Sequence, residues 1–485
     1  MKKIVALIMA AVMIMALLVA CSPADASSNN GTQGPNANGI VGNFAVPEVG
    51  YDGSEVTLKF YHTMGSNLRD VLDAYIVEFN KLYPNIHIEH EQVGGYDDVR
   101  NQISTELTAN NQPNIAYCYP DHVALYNVTG KVITLDELIK STIEVKRADG
   151  TTEVLGLTDA QIADFIEGYY NEGKAFGDNL MYTLPMSKST EVLYYNKTFF
   201  DQHGLTPPTT WDELEALCKK IKEIDPTSIP LGYDSEANWF ITMCEQYGSD
   251  YTSATGDHYL FNNDTNKAFI KKFRTWYEQG YVTTQNLYGT YTSGLFTELG
   301  TGADAIRSYM SIGSSAGATH QRPDMVDGAY PFEVGITTVP QINASNPKVI
   351  SQGPSLCILQ SDNDQEVVAS WLFVKYLTTT VEFQAEFSMA SGYVPVLKSV
   401  GENEGYAAWM AKANGGTNIA ALSAKVCLEQ ADAYYVSPAF NGSSTARDQV
   451  GALLTAALSK ADNGNVDKLI DGLFEDALDE CEYFG

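Results

Sequence analysis

Between residues 56 and 119 the hydrophobic pattern switches repeatedly between period two and period 3.6, and this alternation constrains the fold more than any other feature. Val56, Leu58 and Phe60 alternate with Thr57 and Lys59, as in a strand with one buried face. Leu68, Val71, Leu72, Tyr75, Ile76, Phe79 and Leu82 then follow i, i+3, i+4, i+7 spacing, which predicts a helix capped by Ser66 or Asn67 and running through Tyr83. Pro84 stops it. Residues 86–90 read as a second strand, residues 97–108 as a second helix and residues 115–119 as a third strand. Strands joined through helices run parallel, so an α/β fold with helices on the faces of a mostly parallel sheet is expected. In such sheets ligands bind beyond the carboxyl ends of the strands. Those ends present Tyr61 and His62, Tyr96 and Asp97, and Tyr119 to Asp121. Tyr61, His62, Tyr96, Asp97 and Asp121 are therefore candidate ligand contacts.

The amino terminus sets the compartment. Met1, Lys2 and Lys3 form a short positive segment, and an apolar run from Ile4 to Leu18 ends in Leu18, Val19, Ala20 and Cys21. This reads as an export signal over residues 1–20. The run is short for a permanent span and lacks a basic flank. Leu18 to Cys21 resembles a bacterial lipobox, which makes Cys21 the expected site of lipidation. Residues 21–54 are rich in Ser, Asn, Gly, Ala and Pro, the composition of a flexible linker. The folded part is expected at the extracytoplasmic face of the cell membrane, held there by lipid.

A chain of 485 residues can build two lobes with separate cores, and 44% hydrophobic residues exclude wholesale disorder. Sixty acidic residues against 30 basic give a net charge of −30, which argues against nucleic acid as a partner. Apart from Cys21, the six cysteines form no CxxC pair and are widely spaced, unlike a disulfide scaffold. Cys218 sits in an apolar string with Leu214, Leu217 and Ile221, so buried free thiols are expected, with one or two bridges left open. His87 and His90 fall on opposite faces of a strand and do not share a metal. No metal and no cofactor are implied.

Residues 184–200 (LPMSKSTEVLYYNKTFF) are followed by residues 204–214 (GLTPPTTWDEL), in which Thr210 and Glu213 form a capping box and Pro207 and Pro208 fix the preceding turn. In order and spacing these segments resemble the family 1 extracellular solute-binding proteins of ABC importers, relatives of maltose- and glycerol-3-phosphate-binding proteins. Residues 60–68 (FYHTMGSNL), 350–356, 371–377 and 391–396 (SGYVPV) extend the resemblance from about residue 55 to the end. The stretch 142–180 has no counterpart in it. The resemblance implies a two-lobe binding-protein fold, each lobe a mostly parallel sheet flanked by helices. Lobe I would comprise residues 55–187 and 340–391, and lobe II residues 188–339 and 392–485. Crossing strands near residues 187–191, 335–340 and 392–395 would form the hinge, and ligand would draw the lobes together. It also implies a monomer that does no chemistry and partners an ABC permease.

By the same resemblance Trp239 stacks on ligand, Ser189 reaches it from the hinge, and Arg447, in the first turn of a helix, faces it. An Arg there works against the helix dipole, so a carboxylate or a ligand must compensate. Ser311 and Ser314, after an expected strand over 305–310, are alternatives to Ser189, and Gly353 in the return strand and Tyr393 in SGYVPV complete the candidates. Tyr194 and Tyr195 read as packing. The segment from Gly313 to Gly317 also matches G-x-S-x-G, the esterase nucleophile elbow, with Ser315 as nucleophile, but the only later histidine is His320. The ligand expected is a carbohydrate, for which 29 Tyr supply flat faces. Ser189 and Arg447 keep glycerol-3-phosphate or a glycerophosphodiester as the alternative.

Overall fold

The computed structural model describes residues 40–300 and 305–484; the expected signal peptide, Cys21 and most of the linker lie outside the described residues. The strands are β1 (Val56–His62), β2 (Ile86–Gln92), β3 (Ile115–Cys118), β4 (Glu144–Lys146), β5 (Thr152–Val154), β6 (Leu184–Pro185), β7 (Glu191–Asn196), β8 (Leu231–Tyr233), β9 (Val282–Thr284), β10 (Met310–Ser314), β11 (Val334–Thr337), β12 (Val349–Ile350), β13 (Ser355–Ile358) and β14 (Tyr434–Tyr435). They form two five-stranded sheets, in the orders β2-β1-β3-β13-β6 and β11-β7-β10-β8-β9. In the first sheet β1 pairs parallel with β2 and β3, as the alternating pattern requires, while β13 returns antiparallel to β3. In the second, β8, β9 and β10 are parallel and β7 is antiparallel to both of its neighbours.

Each sheet has its own core. Leu58, Phe60, Phe79, Trp371 and Phe373 fill the first, and Trp211, Trp239, Phe240, Phe273 and Phe474 the second. The first helix spans Ser66–Leu82, but Gly65 precedes it in extended conformation and no side chain caps it, so neither Ser66 nor Asn67 has the expected role. The Thr210 cap forms as expected: its Oγ1 accepts the Glu213 amide at 3.2 Å, and the Glu213 carboxylate accepts the Thr210 amide at 3.2 Å. The strand expected over 305–310 begins only at Met310, where the Tyr309 and Met310 amides both donate to the Pro230 carbonyl. The six described cysteines are free and buried.

The two halves are joined by segments that lie side by side. Residues 187–190 run from β6 to β7. The Ser189 amide donates to Gln352 and the Gln352 amide to Ser189, while Lys188 exchanges both main-chain bonds with Val394. Two expected crossings are corrected. Residues 335–340 do not cross: β11 pairs along β7, the Gln341 amide donates to Thr209, and Val339, Val349 and Ile350 are buried in the second core. The chain crosses back after Ile350, through Ser351 to Pro354. Residues 392–395 flank the first link without leaving the first lobe, because Val396, Leu397, Val400 and Tyr406 still pack in its core. The chain reaches the second lobe near Gly415, whose carbonyl accepts the Val334 amide. The stretch 142–180 opens with the β4–β5 hairpin, whose Val145, with Leu155 and Leu157 beyond it, packs into the first core.

Candidate functional site

β3 ends at Cys118, and Pro120 opens a short helix, Pro120–Tyr126, at the N1 position where its missing amide costs nothing. This turn puts Tyr119 and Asp121 beyond the carboxyl end of the strand. They form one wall of a cavity between the lobes. Glu172 joins them from the first lobe, Tyr251 and Arg447 line the cavity from the second, and Gln352 of the return link and Ser437 line it too.

The charged groups of the cavity already have protein partners. Ser444 Oγ donates to Asp121 Oδ2 at 3.2 Å. Glu172 Oε1 meets Lys188 Nζ at 2.5 Å, with side chains 3% and 0% exposed, and Glu172 Oε2 accepts from Ser351 Oγ at 2.9 Å. Arg447, in the helix Ser443–Ser459, donates through Nη2 to Asn238 Oδ1. Asn238 Nδ2 in turn donates to Glu191 Oε1 at 2.9 Å, and the Tyr233 hydroxyl donates to Glu191 Oε2 at 2.6 Å. Burial pushes the Glu191 carboxyl up to about 7, against the pull of those two hydrogen bonds and of Arg447. Gln352 Oε1 and Ser437 Oγ are buried without a protein hydrogen-bond partner.

Tyr119 is backed by an aromatic stack. Its ring lies 4.3 Å from Tyr96, Tyr96 lies 5.9 Å from Tyr117, and the Tyr96 and Tyr393 hydroxyls are 3.5 Å apart. Arg100 of the first lobe also pairs with Asp448 of the second at 3.4 Å.

Among the sequence candidates, Asp121 and Arg447 line the cavity, and Tyr96 and Tyr393 support its Tyr119 wall. Ser189 and Gly353 belong to the links. A Cβ on Gly353 would sit 2.6 Å from the Ser187 carbonyl, so its role is close backbone approach. The other candidates lie elsewhere. Tyr61 packs with Val99 and Ile103, and its hydroxyl donates to Glu106 at 3.3 Å. His62 is fully buried, shares a 2.8 Å hydrogen bond with His90, and is pushed down to about 3 by burial. The side chains at the end of β1 thus point to the sheet faces, under helices, and not over the edge. Asp97 is exposed and pairs with Arg100 at 3.5 Å. Ser311 is buried in mid-strand between Tyr194 and Gly232. Trp239 is corrected to a core residue, fully buried with ring centroids 4.1 Å from Phe273 and 4.9 Å from Tyr233. Successive helix residues differ by about 100°, so its neighbour Asn238 is the one turned toward Arg447. Ser315 is buried and its Oγ accepts the Thr190 amide at 3.2 Å, while His320 is exposed, so no serine–histidine pair assembles. Sequence reasoning missed Glu172, Asn238, Glu191, Tyr251 and Gln352. The position of Gln352 beside the first link was the only one with a signal, in the return-strand motif.

Two sheet-and-helix lobes with a cavity between them, bounded by the links, define a two-lobe binding protein. The comparisons agree. Residues 74–414 match the family model of bacterial extracellular solute-binding proteins, and the chain belongs to that family. It is 23% identical over 359 residues to the sn-glycerol-3-phosphate-binding periplasmic protein of Shigella flexneri serotype 5b, covering 71% of this chain and 75% of that one. Among solved structures, the cyclic alpha-maltosyl-1,6-maltose binding protein of Arthrobacter globiformis superposes with a TM-score of 0.66 at 20% identity, over 89% of this chain and 100% of that one. UgpB from Mycobacterium tuberculosis, in complex with glycerophosphocholine, gives 0.69 at 16% identity, over 88% and 99%.

Proposed function

We propose that this protein captures a neutral carbohydrate in the interlobe cavity and delivers it to an ABC permease, with lipid on Cys21 holding it at the outer face of the membrane. The observation that carries the ligand class is the prior commitment of the cavity's charges. Arg447 is held by Asn238, Asp121 by Ser444 and Glu172 by Lys188. Lys188 balances Glu172, and Asp121 sets one negative charge against Arg447, so the cavity holds no surplus positive charge to receive a phosphate anion. A sugar needs no countercharge. Tyr119 and Tyr251 offer flat apolar faces to its C–H groups, and Gln352 Oε1 and Ser437 Oγ await hydroxyl partners.

Arg447 on the cavity wall favours a second reading, a glycerophosphodiester such as the ligand named for the Mycobacterium tuberculosis protein. Titration calorimetry separates them. Maltotriose and glycerophosphocholine are titrated into the wild-type, Tyr119→Ala and Arg447→Ala proteins. The sugar reading expects heat with maltotriose and a loss of about 1–3 kcal/mol in Tyr119→Ala, by analogy with aromatic stacking on bases. Binding of glycerophosphocholine alone, abolished in Arg447→Ala, would overturn it.

A further inference from the structure

Glu191 begins β7 immediately after the first link, and its side chain points into the second lobe, away from the solvent side of the cavity. It is 2% exposed, and its carboxylate oxygens are used by Tyr233 and Asn238. Asn238 is equally buried, and its backbone is anchored in the first turn of the helix Glu236–Tyr247 by Ser235 Oγ at 3.2 Å. Arg447 arrives from the adjacent helix.

These three residues have unequal hydrogen-bonding abilities. An ionised carboxylate only accepts, a guanidinium only donates, and a primary amide does both at opposite ends. Glu191 therefore takes the NH2 end of Asn238, which turns the Asn238 oxygen toward Arg447. Without an acceptor at position 191 the amide loses its reason to face that way, and in the flipped orientation its NH2 would meet the guanidinium donor to donor.

We propose that Glu191 is a positioning residue for the binding cleft: it orients the Asn238 side-chain amide so that its oxygen fixes the Arg447 guanidinium at the cavity wall. This rests on the reading of that cavity as the ligand site, and it deepens it. The cleft cation is set from behind by a relay that begins at the hinge, because Glu191 follows Thr190, whose hydroxyl donates at 2.6 Å to the carbonyl of Ile350, the residue just before the return link. The Glu191 carbonyl is itself fixed by Gln430 Nε2 at 3.2 Å.

The test is made on the ligand-free full chain, so that it stands apart from ligand identity. The protein is labelled with ¹⁵N-arginine and studied at pH 8, where Glu191 is ionised. The Arg447 side-chain signal is assigned as the one lost in Arg447→Lys, and its solvent-exchange rate is measured. Glu191→Leu leaves position 191 without an acceptor and is expected to shift the signal and to speed exchange by at least about tenfold, the loss of one hydrogen bond to a charged group. The exchanged pair Glu191→Gln with Asn238→Asp keeps the net charge and restores the pattern: the amide now at position 191 donates to the carboxylate now at position 238, and that carboxylate accepts from Arg447. It is expected to return the signal and its exchange rate to within about twofold of wild type. A merely structural role for Glu191 would give no such rescue. An Arg447 signal unmoved by Glu191→Leu, or an exchanged pair no closer to wild type than Glu191→Leu, overturns the proposal. Should Glu191→Leu unfold, the exchanged pair alone decides by the same criterion, and its failure to fold also counts against the relay. Failure of maltotriose to bind would overturn the carbohydrate reading and leave this result standing.

Discussion

Replacing Lys188 by Met tests the buried pair that joins the hinge to the cavity. Lys188 Nζ lies 2.5 Å from Glu172 Oε1 and has two weaker acceptors, the Gly353 carbonyl at 3.3 Å and Ser355 Oγ at 3.4 Å. Met fills the space of the lysine stem but leaves the Glu172 charge in a site 3% exposed, with Ser351 as its remaining donor. Breaking one partner of a buried pair costs about 3–5 kcal/mol, because the remaining charge keeps its desolvation penalty. The two long contacts sit at the edge of the hydrogen-bond range and add little. Removing both charges, in Lys188→Met with Glu172→Gln, removes that penalty, so the double variant should lie within about 1–2 kcal/mol of wild type. Urea unfolding measures this: the midpoint should fall steeply in the single variant at unchanged m and recover in the double. A single-variant loss below about 1 kcal/mol, or a double loss equal to the sum of both singles, would refute the reasoning.

Three further outcomes are expected. Glu191 is raised from 4.5 to about 7 in the folded protein, so its contribution is complete below pH 4.5 and is lost as pH rises through about 7. Stability should therefore fall across that window in wild type and fall less in Glu191→Gln. Tyr233, Asn238, Asp234, Tyr435 and Arg447 surround the group in both proteins, so the difference between the two melting profiles isolates it. Gly353→Ala adds a Cβ 2.6 Å from the Ser187 carbonyl at a residue with φ of +93°, and should lower stability by about 2 kcal/mol or more in thermal unfolding. Trp239→Ala should cost about 3–5 kcal/mol in the same assay, and Trp239→Phe, which keeps an aromatic ring there, should leave calorimetric affinity for any ligand found unchanged.

The first sheet was legible because β1 alternates buried and exposed residues from Val56 to Phe60. The second was not. Its strands β8 and β9 are three residues long and buried throughout, which leaves no period to read. Asp121 and Arg447 were accessible to reasoning because strand ends and helix entries are places where backbone geometry exposes side chains to a cleft. Glu172 was not, since it comes from the stretch without family resemblance and gains its meaning from Lys188, 16 residues on. Trp239 and Asn238 show the limit of a single helical step. The segment was placed next to the site, but a rotation of about 100° decided which neighbour faces the core. The crossing assigned to residues 335–340 failed for a related reason. A strand bonded along the edge of its own sheet and a strand leaving that sheet have the same local pattern, and only pairing tells them apart.

The segment 187–190 is bonded on both edges, to Gln352 on one and Val394 on the other. A lone connecting strand is a swivel, free to bend, twist and slide. A strand stitched to a neighbour on each side behaves more like a strip of stiff cloth. It still folds across its width, but twisting or shearing it would break the main-chain bonds of Ser189 and Lys188. Any relative motion of the lobes would thereby be reduced to little more than one rotation. A cavity confined to one such path would reassemble its walls in the same order each time, so the two halves of the cleft could be shaped for each other without any search between cycles.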